Sequence, residues 1–108
     1  MKNYIITQFI FLNEGKEEDF LQYEEAVLPL LKNHNGLLRW RIRPDKENII
    51  HPAGDEQPFE IHIVYFDSKD DFLAYKNDPE RLKHTGLAES AVKKIILIES
   101  EGTNRNEK

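Results

Sequence analysis

Three arginines at alternate positions, Arg39, Arg41 and Arg43 in the stretch LLRWRIRP, are the first chemical signal in this sequence. A guanidinium fork meets a carboxylate or phosphate through two parallel hydrogen bonds, and does so more strongly away from water, so the three are candidate ligands for a small anion. Glu60 and His62, in FEIHIVYF, stand two apart and therefore share one face of a strand. An acid and a base so placed can converge near Arg41 as a proton-transfer pair, because imidazole titrates at about 6.5; they are the catalytic candidates. The plainer use of the same residues is ion pairing across the ladder and between subunits, at roughly 0.2–1 kcal/mol per facing pair. Tyr23 and Tyr75 have apolar helical spacing and are expected in the core, yet a phenol there can enter a pocket as a donor. Tyr23 therefore joins His62 and the arginines among the ligand-binding candidates.

Other chemistries find little support. His34, His51, His62 and His84 show no two-apart or four-apart spacing, so a metal site would have to be assembled by folding, and no metal is assigned. His34 falls in the last turn of a helix, where a cation is favoured, and is expected to cap it. Glu24 and Glu25 are expected to face solvent. Cysteine is absent, which removes disulfides, thiolate metal sites and cysteine nucleophiles together. No glycine-rich phosphate loop, G-x-S-x-G turn or dinucleotide fingerprint occurs, so no cofactor is expected. The net charge of -5 and isoelectric point near 5.4 repel nucleic acid and anionic lipid. No apolar run approaches the roughly 18 residues of a membrane span. Neither nucleic acid nor a membrane is an expected partner, and a soluble cytoplasmic protein is the default.

The elements that must position these residues follow from periodicity. Tyr4–Leu12 is β-branched and aromatic and reads as a strand. From Lys16 the period becomes helical, with Phe20, Tyr23, Val27, Leu30, Leu31 and His34 at three- and four-residue steps. Pro29 should kink that helix or split it, and Gly36 should close it in the left-handed conformation. Leu37–Pro44 is a second strand, Asp45–Gln57 a charged loop, with the solvated run PDKEN a candidate lid, and Phe59–Phe66 a third strand. Ser68 caps a helix with Asp71 at the third position, and Pro79 to about Ser90 is a shorter helix interrupted at Gly86. Ala91–Glu99 is the fourth strand. Residues 1–99 thus form one domain, and 100–108 are expected to be a disordered polar tail.

The order is βαββαβ, with both helices on one face of a four-stranded sheet. On the second strand Leu38, Trp40 and Ile42 are expected under the helices, and Leu37 with the three arginines on the opposite face. The first and fourth strands are apolar on both sides, so the second face also needs cover. The simplest cover is the same sheet of a second copy, which predicts a homodimer with Phe9 in the contact and the arginines, Glu60 and His62 between the subunits.

This order, with EEDFLQYEEAVLPLLKNHNG and FEIHIVYFDSKDDFLAYKNDPER, resembles the dimeric α+β barrels of ferredoxin-like fold. The pattern is most similar to a family of unknown function, on Phe20, Tyr23, Pro29, His34-Asn35-Gly36, Phe66-Asp67-Ser68, Phe72, Tyr75 and Pro79-Glu80. Asn35 and the long loop Asp45–Gln57 depart from it. More distant relatives include antibiotic-biosynthesis-type monooxygenases, haem-degrading enzymes and stress-responsive A/B barrel proteins. The tryptophan signature of the monooxygenases does not map here, because Trp40 is expected to face the helices. The resemblance implies an α+β barrel dimer, and Arg39, Arg41, His62 and Glu60 with the apolar residues of the first strand suit its interior to a small anionic or aromatic molecule between sheet and partner. A cofactor-independent monooxygenase or isomerase acting on an aromatic or enolic compound, and a dimerisation module without ligand, are the alternatives.

Overall fold

A computed structural model describes residues 2–50 and 56–103, so His51 and the middle of the charged loop lie outside the described residues. The chain runs β1 (Lys2–Leu12), α1 (Glu17–Val27), a 3-10 helix (Leu28–His34), β2 (Gly36–Ile42), a 3-10 turn (Lys46–Asn48) and β3 (Glu60–Phe66). It continues through α2 (Lys69–Lys76), α3 (Pro79–Leu82), α4 (Thr85–Ala91) and β4 (Val92–Thr103). The four strands form one antiparallel sheet in the order β2-β3-β1-β4. A shortest dimension of 17 Å fits one layer of helices on one layer of sheet.

Local chemistry sets the ends of these elements. Pro29 cannot donate to the α1 ladder, and the chain tightens there into the 3-10 helix, with the proline in its first turn. That helix is closed by Asn35, at φ 55°, and not by Gly36. Gly36 is required for another reason: a Cβ there would lie 2.8 Å from Cε1 of Phe66 and 3.1 Å from the Leu31 carbonyl oxygen. His34 is not a cap; its Nε2 meets Asp78 at 2.7 Å, tying the 3-10 helix to the start of α3. The Ser68 cap is present, with the Asp71 amide donating to its hydroxyl at 3.1 Å. The break after α3 falls at Lys83–His84, and Gly86 lies inside α4. Strand β4 continues past Glu99, pairing Ser100–Thr103 with Lys2–Ile5, so the strand takes in the first residues of the expected tail; 104–108 lie outside the described residues.

The largest departure from expectation is in β2. Leu38 pairs with Val64, but Trp40 pairs with Ile63, Arg41 with His62 and Ile42 with Ile61, so Arg39 is an extra residue in a bulge. One inserted residue exchanges the faces of everything after it. Leu38 still faces the helices, as expected. Trp40 and Ile42 turn outward, whereas Arg41 joins His62, Gln8 and Leu97 in a row across the helix-facing side.

Two apolar clusters fill the space between sheet and helices. One joins Tyr4, Ile6, Leu31, Val64, Phe66 and Phe72; the other joins Ile10, Phe20, Tyr23, Val27 and Ala91. The opposite side of the sheet is apolar too. Its rows are Trp40–Ile63–Thr7–Ile98 and Ile42–Ile61–Phe9–Ile96. In one protomer Trp40 is 55% exposed and Leu37 56%.

Candidate functional site

Helix α1 buries Phe20, Tyr23, Glu24 and Val27, a single stripe at helical spacing. Glu24 is therefore in the core, at 2% exposure, and does not face solvent as its acidic neighbourhood suggested; Glu25 does. The helix sets Glu24 over the row formed by Arg41 and His62, and Glu60 lies on the same side of β3, 1% exposed.

These groups form one network. His62 Nε2 stands 2.8 Å from Glu60 Oε1 and 2.8 Å from Glu24 Oε2. Arg41 donates from Nη2 to Glu24 Oε1 at 2.8 Å and from Nε to Glu60 Oε1 at 3.1 Å, and Arg43 donates to Glu60 Oε2. Glu24 Oε2 has no well-directed hydrogen bond of its own, because the Nε2 position serves Glu60. Burial pushes the Glu24 carboxyl up; His62 offsets part of this, and a hydrogen bond to Glu60 adds to it. Burial would also raise Glu60, but hydrogen bonds from His62, Glu24, Arg41 and Arg43 outweigh it and hold Glu60 well below the usual carboxylate range. For His62 burial acts downward, and its contacts with Glu24 and Glu60 reverse the sign, so the imidazole keeps its proton above its ordinary pKa. A carboxyl pushed up by burial thus sits beside one held down by its partners, with the imidazole in contact with both.

Glu24 and His62 also line a cavity of about 440 Å³ between the sheet and helices α1, α2 and α4. The network expected between sheet and partner lies instead on the helix side: Glu60 and His62 share the buried face of β3 with Val64 and Phe66, and the bulge in β2 brings Arg41 to them. Tyr23, Tyr75, Gln8, Thr85 and Arg81 contribute the other polar walls, and Ile6, Ile10, Val27 and Val64 are among the apolar ones. Arg81 donates from Nη1 to the Lys76 carbonyl at 3.1 Å, and its guanidinium lies 5.1 Å from the centre of the Tyr75 ring. Its Nε is buried and makes no well-directed hydrogen bond among the described residues, although the Tyr75 hydroxyl interacts with the guanidinium.

Of the residues singled out from sequence, Glu60, His62 and Arg41 come together, with Arg43 at the edge and Tyr23 in the neighbouring wall. Arg39 does not join them; its guanidinium lies 5.6 Å from the ring of the outward-facing Tyr65. Glu24 and Arg81 were missed. Glu24 could have been found from its four-residue step after Phe20, whereas nothing in the PERL segment marks Arg81. Glu24, Glu60 and His62 also bring three donor atoms within 4.8 Å of one another, a grouping that could hold a divalent cation. Two arginines already bind those carboxylates, so a cation there would meet two fixed positive charges.

A four-stranded antiparallel sheet in this order, covered on one side by helices, is the ferredoxin-like α+β fold. No protein-family model and no curated protein matches the sequence. Among solved structures, the chain is similar to a protein of unknown function from Rhodopseudomonas palustris, at TM-score 0.81 and 15% identity over 94% of this chain and 83% of that one. It is also similar to a NIPSNAP family protein of unknown function from Agrobacterium tumefaciens, at 0.66 and 19% over 98% and 92%. A dimeric protein of unknown function and ferredoxin-like fold from Bacteroides fragilis matches at 0.63 and 15%, over 94% and 96%. At these identities the likeness is one of fold. No helix among the described residues is long and apolar enough to cross a membrane.

Proposed function

We propose that the chain works as a homodimer that binds a small anionic or aromatic molecule in the cavity between its sheet and its own helices. The observation that carries this reading is the convergence of Glu24, His62, Tyr23 and Arg81 on one apolar space of about 440 Å³. That volume lies in the range typical of small-molecule sites, which are mostly apolar with a few fixed polar groups. The dimer is supported by the uncovered apolar face of the sheet, by the dimeric description of relatives of the same fold, and by two-fold symmetry as the simplest way to cover a self-complementary face. The cysteine-free sequence agrees with an intracellular setting. A thermal-shift and NMR screen of carboxylates, phosphates and phenols tests the binding reading. Hits should perturb the methyl signals of Ile6, Ile10 and Val27, and a screen with no perturbation there would leave the domain as a dimerisation module.

One observation favours a second reading, an enzyme. His62 Nε2 lies 2.8 Å from two carboxylates of opposite protonation tendency, so a proton can be taken up and returned without a cofactor. This suits an isomerase that moves a proton on an enolisable substrate better than an oxygenase. Deuterium exchange from solvent into an enolisable carboxylate, lost in His62→Gln, is the expected signature.

A further inference from the structure

We infer that Arg81 is the anion anchor of the cavity, and that the molecule bound there is a monocarboxylate with a flat, aromatic body. The inference rests on the binding reading above and narrows it to a class of ligand. Arg81 is held in place from two sides, by the Lys76 carbonyl on Nη1 and by the Tyr75 ring 5.1 Å from its guanidinium. Its buried Nε nevertheless makes no well-directed hydrogen bond among the described residues, although the Tyr75 hydroxyl interacts with the guanidinium. A buried N–H of a cation left unmade is costly, and its usual explanation is a group absent from the structure. A carboxylate supplies what is missing, because it accepts two parallel hydrogen bonds from the edge of a guanidinium.

Charge limits the ligand to a single negative charge. Arg81 is the one arginine on the cavity wall among the described residues, and the wall also carries Glu24 and Glu89. A phosphate dianion would face those carboxyl groups with only one fork to hold it. Shape limits the body: Tyr23 and Tyr75 flank the Arg81 end, and Ile6, Ile10 and Val27 supply apolar walls for a ring. A carboxylate on Arg81 leaves the remainder of the molecule in the space that Glu24 and His62 also line.

The probes are 2-naphthoate and its neutral isostere 2-naphthamide, added to 15N- and methyl-labelled protein. The expected result is binding of the acid about ten-fold or more tighter than the amide. The Arg81 Nε–Hε signal should move downfield with the acid alone, and the ring protons should give Overhauser contacts to the Ile6 and Ile10 methyls. In Arg81→Met the preference should vanish and the affinity for the amide should remain. Equal binding of acid and amide, or a still Nε–Hε signal in the complex, overturns the anchor and leaves the cavity reading standing. If neither probe contacts those methyls at millimolar concentration, both readings fall. The Nε–Hε measurement uses the unaltered protein, so it decides the matter even if Arg81→Met unfolds.

Discussion

Trp40→Asp separates an outer-face dimer from every arrangement in which the sheet stays bare. In one protomer five outward side chains remain about half in water: Leu37 at 56%, Trp40 at 55%, Ile98 at 49%, Ile96 at 46% and Ile42 at 42%. Complete burial of such a side chain is worth about 1.5–3 kcal/mol, so each still has roughly 1 kcal/mol to gain. That gives about 5 kcal/mol per subunit and about 10 kcal/mol for a pair, against a cost of about 4–15 kcal/mol for lost rigid-body freedom. The half-buried Ile61, Ile63, Tyr65 and Phe9 of the same face add to the favourable side. For the proposed dimer the balance gives a moderate affinity. Trp40→Asp removes roughly 1 kcal/mol of apolar burial from each subunit and sets a carboxylate against the partner's apolar face, twice by symmetry. The dissociation constant should rise at least about 100-fold, which is about 2.7 kcal/mol. Sedimentation equilibrium measures this directly. The unaltered protein supplies a second readout, because Trp40 is its only tryptophan. Dilution through the dissociation constant should shift the indole emission to the red. A variant that dimerises as tightly as the parent, or an emission that is solvent-exposed at every concentration, would refute the reasoning.

Further outcomes follow from the network and the turn beside it. Glu60→Ala leaves Arg41, Arg43 and His62 facing each other without their shared carboxylate; since both arginines reach solvent, the loss should be about 2–4 kcal/mol in urea denaturation. Because the Glu24 and Glu60 contacts outweigh burial, the folded pKa of His62 is raised above 6.5. Its contribution to stability is complete below that value and is lost as the pH rises through the folded pKa, so the parent should lose stability above neutrality relative to His62→Gln. Glu60 acts in the opposite sense, and its contribution disappears as the pH falls below the ordinary carboxylate range. Gly36→Ala should cost about 1–3 kcal/mol, because Phe66 must yield to the new methyl group; an unchanged urea midpoint would mean that the Phe66 ring moves freely.

The βαββαβ order was legible because each element carries its own period and punctuation: the alternation of FEIHIVYF, the Ser68 cap, the split at Pro29. The contents of the site were not. Glu24 was misread because an acidic neighbourhood suggests solvent, while its spacing from Phe20 and Val27 places it on the buried stripe of α1. Arg81 gave no signal, since a short helix opened by a proline shows nothing of what its side chains reach. Assignment of the arginines failed on a single count. Alternation in a sequence assumes a regular ladder, and a residue inserted into one strand is invisible when its neighbours continue the same pattern of charged and apolar types.

The bulge itself can be tested by removing its extra residue. Deleting Arg39 joins Leu38 to Trp40, and the pairing Leu38–Val64 then passes directly to Trp40–Ile63 with every later residue on the face it already occupies. The loss is the contact of Arg39 with Tyr65, worth about 0.5–1 kcal/mol at an exposed site. The deletion variant should therefore fold, keep the raised pKa of His62 in an NMR titration and keep the Trp40 emission of the parent. In an unbroken strand the same deletion would move Trp40 from beneath the helices to the outside and bring Arg41 inward, changing both readouts together. The two geometries thus give opposite answers to one deletion. Whether Arg41 meets Glu24 and Glu60, and which way Trp40 faces, both follow from which of them is right.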